Sequence, residues 1–411
     1  MGNSLSLDRR SMLKSTLGGM ALAAGGGTPF LHSAKAWADA KALANQKLST
    51  IGVAVSVQER ILSAFKAASG VGAVSGTTAA FPDAQTRILS GSTEYDCWET
   101  MGERVAALVA TNTAVPIETS SLKNWKDIRE IFLKPDPKFA PSAQVYGQIW
   151  ADKEGTKLWM VPTIFNFDSV GFNPDVVTLE EANSWAALFD DKWKGRSGLN
   201  SDPLMALGEA LIAMDTLGLQ EVKSPGNPTK AQVDEAIKFL ISKKKAGHFR
   251  AIWSDFGELV NYLASGEIVI SDAWQPAIMA VRAQGKKAKY ALPKEGYRAW
   301  AYGISHLKVS QNPGAVIAYA DYWLSGPPSA IVSEQGYYSP TRAIQQAMTP
   351  EKYGFWYEGK PWVGPAERGI TEGEVRDGGS LETRAAHVAF WHQWPDEYDH
   401  IVKRWDEFLT A

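Results

Sequence analysis

The chain has 411 residues, of which 45% are apolar and 21% charged; at roughly 150 residues per domain this supports two or three packed cores and excludes a disordered or collagen-like chain. Lys plus Arg total 42 against 45 Asp plus Glu, a net charge of −3, which argues against a nucleic-acid binder, since such proteins carry a basic excess. One cysteine, Cys97, rules out an intrachain disulfide, and the lack of an uncharged apolar run of ~18 residues beyond the N-terminus rules out a polytopic membrane protein.

The first forty residues read as an address. Arg9 and Arg10 precede a weakly apolar, glycine-rich stretch over 15–31, and small residues follow in A-x-A spacing at Ala34/Ala36 and Ala36/Ala38. This is the layout of a cleavable export signal, and paired arginines mark its twin-arginine variant. An ordinary Sec signal or a frayed helix is the competing reading. Removing residues 1–38 takes away four basic residues and one acid, leaving a more acidic chain expected to be periplasmic.

Beyond the signal, residues 48–55 (LSTIGVAV) predict a strand. Apolar residues at Val57, Ile61, Leu62, Phe65 and Ala68 then fall at helical spacing, with Gly70 as the stop. Residues 71–78 predict a second strand, 83–90 a helix and 95–98 a third strand. Strand–helix alternation with short connections implies a parallel α/β sheet, whose ligand sites lie beyond the carboxyl ends of its strands. Residues 159–172 predict one or two strands, and 184–189, 203–217 and 229–245 helices. Asp202 is a suitable N-cap before Pro203. Further helices are expected over 255–265, 274–284, 312–324 and 328–335, with a buried strand at 267–271. Residues 350–380 are rich in Gly and Pro and predict a long loop, after which 381–411 returns to helical periodicity. Two α/β domains, joined by more than one crossing of the chain, are the architecture this order implies.

Catalytic and cofactor motifs are missing from the sequence. No phosphate-binding G-x-x-x-x-G-K-[ST] loop, G-x-S-x-G elbow or H-E-x-x-H pair occurs. His387, His392 and His400 are spaced five and eight residues apart, a poor fit to one helix face. Cys97 on a predicted strand reads as a small buried hydrophobe. No cofactor and no metal are expected. What stands out is 16 Trp, several of them at predicted strand ends and helix starts: Trp98, Trp253, Trp274 and Trp300, with Tyr302 and Tyr337 in similar places. Acids flank several of these, namely Asp96, Glu99, Asp255 and Asp272. Aromatic faces beside carboxylates suit a cationic or amphipathic small ligand, each ring attracting a cation by ~0.5–2 kcal/mol. Packing in the core is the alternative for each ring.

The stretch Ala273-Trp-Gln-Pro-Ala, the run Leu292-Pro-Lys-Glu-Gly296-Tyr-Arg-Ala-Trp300 and the segment Gly336-Tyr-Tyr-Ser-Pro340 together resemble the spermidine/putrescine-binding family of ABC-importer solute receptors. Residues 163–172, Ser184-Trp-Ala-Ala-Leu and Trp193-Lys-Gly195 extend the resemblance over most of the chain. It implies a type II periplasmic-binding fold with two α/β domains, each a mostly parallel sheet flanked by helices, and a ligand cleft between them. The expected boundaries are 39–166 plus 298–347 for the first domain and 167–297 plus 348–411 for the second. It further implies a receptor that closes on a small molecule and delivers it to an inner-membrane ABC permease, catalysing nothing and acting as a monomer. Trp274 and Trp300 correspond to ligand-stacking tryptophans, Tyr337 to a pocket tyrosine and Asp202 to an acid at a helix start. Tyr302 stands where the family has an ammonium-holding Asp, and Met205 where it has a second acid. The expected ligand is therefore monocationic or amino-acid-like, held by Trp98, Glu99, Asp202, Trp253, Asp255, Trp274, Trp300, Tyr302 and Tyr337. A true polyamine receptor and an exported enzyme on the same frame are the alternatives.

Overall fold

Eight strands of one sheet organise the molecule. They are β1 (Lys47–Gly52), β2 (Ala73–Thr78), β3 (Cys97–Met101), β4 (Val161–Phe172), β5 (Ser197–Asn200), β6 (Phe249–Trp253), β7 (Ile270–Ala273) and β8 (Tyr297–Leu307). A computed structural model describes residues 43–133 and 148–411; the export signal therefore lies outside the described residues. The strand order is β2-β1-β3-β8-β4-β7-β5-β6, and three short strands added at the sides bring the sheet to 11.

At one end β1 pairs in parallel with β2 and β3, and at the other β5 pairs in parallel with β6 and β7. The two long central strands run antiparallel to each other and to the neighbours that flank them. The expected mostly parallel arrangement thus holds for the outer strands and not for the middle. Both central strands are buried along their full lengths. A strand covered on both faces carries no alternation of apolar and polar residues, which is why β8 gave no strand signal.

Register positions the charges that matter below. Arg298 on β8 faces Asp168 on β4, and two residues on, Trp300 faces Asn166. Asp272 on β7 faces Val170, two residues beyond Asp168 on β4. The ladder between β4 and β8 shifts register at Tyr302/Gly303. Gly303 is required there, since a Cβ would stand 1.9 Å from the Val161 carbonyl oxygen.

Local signals set the helix ends. Gly70 closes the helix Glu59–Ser69 in the left-handed region at φ 74°, while Ile61, Leu62 and Phe65 are buried. The Asp202 carboxylate accepts from the Leu204 N–H at 2.9 Å and caps the helix Pro203–Thr216; such a cap stabilises by about 1 kcal/mol. Asp255 does the same for Phe256–Ser265, accepting from the Glu258 N–H at 2.9 Å.

Two expectations at the C-terminal end are corrected. The predicted loop over 350–380 begins with a helix, Pro350–Glu358, capped by Thr349 and closed by Gly359 at φ 66°. The continuous helical run expected over 381–411 is broken: a short helix, Leu381–Ala385, leads into the strand Val388–Trp391, which pairs with β8, and the helix Tyr398–Thr410 follows. A contact with a strand ninety residues away decides that segment, against its local periodicity. No helix among the described residues is long and apolar enough to cross a membrane.

Candidate functional site

A cleft of about 830 Å³ is lined by residues from both halves of the sheet. Trp300 and Tyr302 alternate along β8 and so share a face; their rings lie parallel within 2°, with centroids 5.6 Å apart. Tyr337 meets Trp300 edge-on at 6.0 Å, following Gly336 in a turn with φ 104°. A second aromatic group pairs Trp274 with Phe256, stacked at 6.3 Å and 8°. Trp253 backs Trp274 at 4.8 Å and 82°, and its indole N–H donates to Ser271 Oγ at 3.0 Å.

Two arginines also line the cleft. Arg104 donates from Nη1 to Gln85 Oε1 at 3.0 Å, and its Nη2 stands 3.5 Å from the Asp202 carboxylate. Its guanidinium lies 5.9 Å from the Phe81 ring. Arg298 sits deeper and is the hub of a buried ionic group. Its Nη2 contacts Asp168 Oδ2 at 2.8 Å and its Nε contacts Glu209 Oε1 at 2.7 Å. Its Nη1 lies 2.9 Å from His392 Nε2. A guanidinium only donates, so Nε2 accepts and the ring proton sits on Nδ1, which faces Glu103 at 3.9 Å.

Asp272 joins this group. Its Oδ1 accepts from the Asn200 N–H at 3.0 Å and from the Ser271 hydroxyl at 3.2 Å. Three buried carboxylates thus share one guanidinium. Burial raises the pKa of Asp168, which Arg298 and the Trp300 indole partly oppose. Burial pushes Asp272 up to about 7 and Glu209 well above the usual carboxylate range. Burial works against the Arg298 charge, yet Glu209, Asp168 and Asp272 hold its pKa above the ordinary value.

Residues 60–354 match the model of the bacterial extracellular solute-binding proteins. The chain belongs to that family. Among curated relatives of this solute-binding protein, a putrescine/agmatine-binding protein of Pseudomonas aeruginosa is 22% identical over 300 residues, covering 69% of this chain and 75% of its own. A putrescine/cadaverine-binding protein of the same organism is 22% identical over 328 residues, covering 76% and 84%. The spermidine/putrescine substrate-binding protein PotD of Streptococcus pneumoniae superposes with a TM-score of 0.63 at 16% identity, covering 88% of this chain and 99% of that one. A GABA receptor superposes with a TM-score of 0.57 at 16% identity, covering 88% and 97%. The fold is the type II periplasmic-binding fold.

Of the residues singled out from the sequence of this solute-binding protein, Asp202, Trp274, Trp300, Tyr302 and Tyr337 line the cleft together. Four do not. Trp98 is wholly buried in a separate apolar cluster with Ile51, Ile88 and Leu108. Glu99 is also wholly buried, accepting from Thr50 Oγ1 at 3.0 Å and Tyr319 OH at 2.9 Å, and burial raises its pKa. All of β3 is buried, so its position near a strand end brings neither side chain to the cleft. Trp253 supports Trp274 from behind. Asp255 is exposed and spends its carboxylate as a cap, while its neighbours Ser254 and Phe256 reach the cleft. Cys97 is buried, and burial pushes its thiol pKa up. His387 faces the Pro293 carbonyl at 2.7 Å and His400 the Asp234 carboxylate at 2.9 Å, so the three histidines stand in separate contacts.

Arg104, Asp168, Arg298, Phe81 and Phe256 were missed. A signal existed for two of them. Arg298 precedes Trp300 by the two residues that keep strand neighbours on one face, and Asp168 interrupts an apolar strand, where an acid needs a buried partner. Nothing local marks Arg104.

Proposed function

We propose that this solute-binding protein is exported through a twin-arginine signal to the periplasm. There it takes a small amine or amino-acid-like ligand with at most one cationic centre, and catalyses nothing. The cleft that gathers Trp274, Trp300, Tyr302, Tyr337 and Asp202 carries this reading. Two lobes, 39–166 plus 298–347 and 167–297 plus 348–411, close over the ligand as a monomer and present it to the permease. Contacts made to both lobes at once supply the free energy that favours the closed state. A polyamine receptor is the second reading, favoured by the putrescine, agmatine and cadaverine for which the two Pseudomonas aeruginosa relatives are named. Against it stands Tyr302, a neutral phenol whose pKa burial drives far up.

Ligand copurifying with the mature protein, identified by mass spectrometry, gives the chemical class directly. Titrating that class back should change the tryptophan fluorescence at a stoichiometry of one and reduce the radius of gyration in solution scattering. A saturated protein with an unchanged scattering curve refutes the clamp, and release of a chemically altered product refutes the receptor in favour of an enzyme.

Export is tested separately. Changing Arg9 and Arg10 together to Lys keeps the charge and removes the guanidinium forks. The precursor should then accumulate in the cytoplasm. Undiminished periplasmic delivery of the double variant would assign export to the Sec route.

A further inference from the structure

The cleft carries two buried charged groups that the molecule leaves incompletely used, and they have opposite sign. Arg104 is 4% exposed. Its Nη1 is engaged by Gln85, its Nη2 meets Asp202 only at 3.5 Å, and its Nε has no hydrogen-bond partner. The Nε and Nη2 hydrogens form the side-on fork of a guanidinium, the edge that matches a carboxylate with two parallel hydrogen bonds. That edge is loosely held on one prong and free on the other. Asp202 reaches it through Oδ2 alone, since its Oδ1 accepts from the Leu204 N–H.

Asp168 is the counterpart. It lies at the cleft, wholly covered, with Oδ2 on Arg298 and Oδ1 without a hydrogen bond. Trp300 is close enough to help hold its charge, and its charge in turn acts on the Tyr337 phenol. Arg298 meets Asp168 through Oδ2 alone and also contacts Glu209 at 2.7 Å, so Asp168 does not hold the guanidinium to itself. A cation resting on the faces of Trp300 and Tyr337 therefore meets the quadrupoles of the rings and an undercompensated carboxylate behind them.

We propose that the ligand is a zwitterion: its ammonium group settles on Trp300 and Tyr337 beside Asp168, and its carboxylate takes the Nε/Nη2 edge of Arg104. The proposal rests on the small-amine reading above and narrows it. A diamine would satisfy the first subsite and bring a second positive charge towards Arg104, which repels it. A monoamine without a carboxylate would leave Arg104 as it is.

The test is calorimetry on the mature protein with matched probes of two to six carbons. Each ω- or α-amino acid is compared with the monoamine of the same chain and with the corresponding diamine. The amino acid of the best-fitting length should bind at least about tenfold more tightly than its monoamine, the fold-change a charge-assisted bidentate contact supplies. Arg104→Gln should abolish that preference and leave the monoamine within about threefold. Asp168→Asn should weaken amino acid and monoamine alike. Because Asp168 is tied to Arg298, its variant is read only after a thermal melt shows it folded; Arg104→Gln and Arg104→Lys decide the proposal by themselves. An Arg104→Gln effect equal on amino acid and monoamine overturns the zwitterion and spares the small-amine receptor, whereas tighter binding of the diamine overturns both the zwitterion and the single-cation reading in favour of a polyamine receptor. Failure of all three series to bind overturns the zwitterion and the small-amine receptor alike.

Discussion

Arg298→Met should cost about 3–5 kcal/mol of folding stability, the range for removing one partner from a buried ionic group. The guanidinium is 1% exposed and contacts Asp168, Glu209 and His392 at 2.7–2.9 Å. These partners come from β4, from the helix Pro203–Thr216 and from the segment after Val388–Trp391, so one side chain ties three distant parts of the chain. Met keeps an unbranched, adaptable stem out to the position of Nε, so the aliphatic packing is largely preserved while the guanidinium is removed. Without the guanidinium the carboxylates repel one another in a low-dielectric site and must take up protons to stay buried. The loss should therefore be larger at pH 8 than at pH 5. Urea unfolding at both pH values measures it. A loss under about 1 kcal/mol at pH 8 would mean the acids are held by other contacts.

The same hub shows what a sequence can and cannot disclose. Elements whose signals are local were legible: Gly70 ending a helix and Asp202 capping another. Thr349 and Pro350 were also a legible helix start, hidden by the glycines that follow. The interior of the sheet was different. β4 is legible as a strand, whereas β8, covered on both faces, shows no periodicity that separates it from a buried helix or loop. Trp98 and Glu99 looked like strand-end residues open to a ligand because burial on both sides leaves no trace in a five-residue strand. Pairs that define the site also lie far apart in the chain. Arg298 and Asp168 are 130 positions apart, and what joins them is register, which follows from the assembled sheet. Family resemblance supplied Trp274, Trp300 and Tyr337; it gave no role to Asp168, which lies within the resembling stretch 163–172, or to Arg104, which lies outside the quoted stretches.

Asp272→Asn should make the protein more stable at pH 8, and by a smaller margin at pH 5. Asp272 is buried on β7, and burial pushes its pKa from 3.8 up to about 7. Between about pH 4 and 7 the folded chain therefore holds a proton that the unfolded chain releases. Stability varies with pH as the protons bound in the unfolded state minus those in the native state. Here that difference is negative, so Asp272 contributes a stability that falls as pH rises through this window. At about 1.4 kcal/mol per pH unit the full swing is at most roughly 4 kcal/mol. Below about pH 4 both states hold the proton and the contribution is flat. Asn keeps the oxygen that accepts from the Asn200 N–H and the Ser271 hydroxyl and removes the titration. The exposed groups titrate in both proteins and cancel when variant and wild type are compared at each pH; Glu209, which Asp272 helps to raise, shifts down in the variant and adds to the same trend. The stability difference, variant minus wild type, should grow by about 2–3 kcal/mol between pH 5 and pH 8. A difference that stays constant across that range would place the Asp272 proton elsewhere, with Arg298 holding the carboxylate fully ionised.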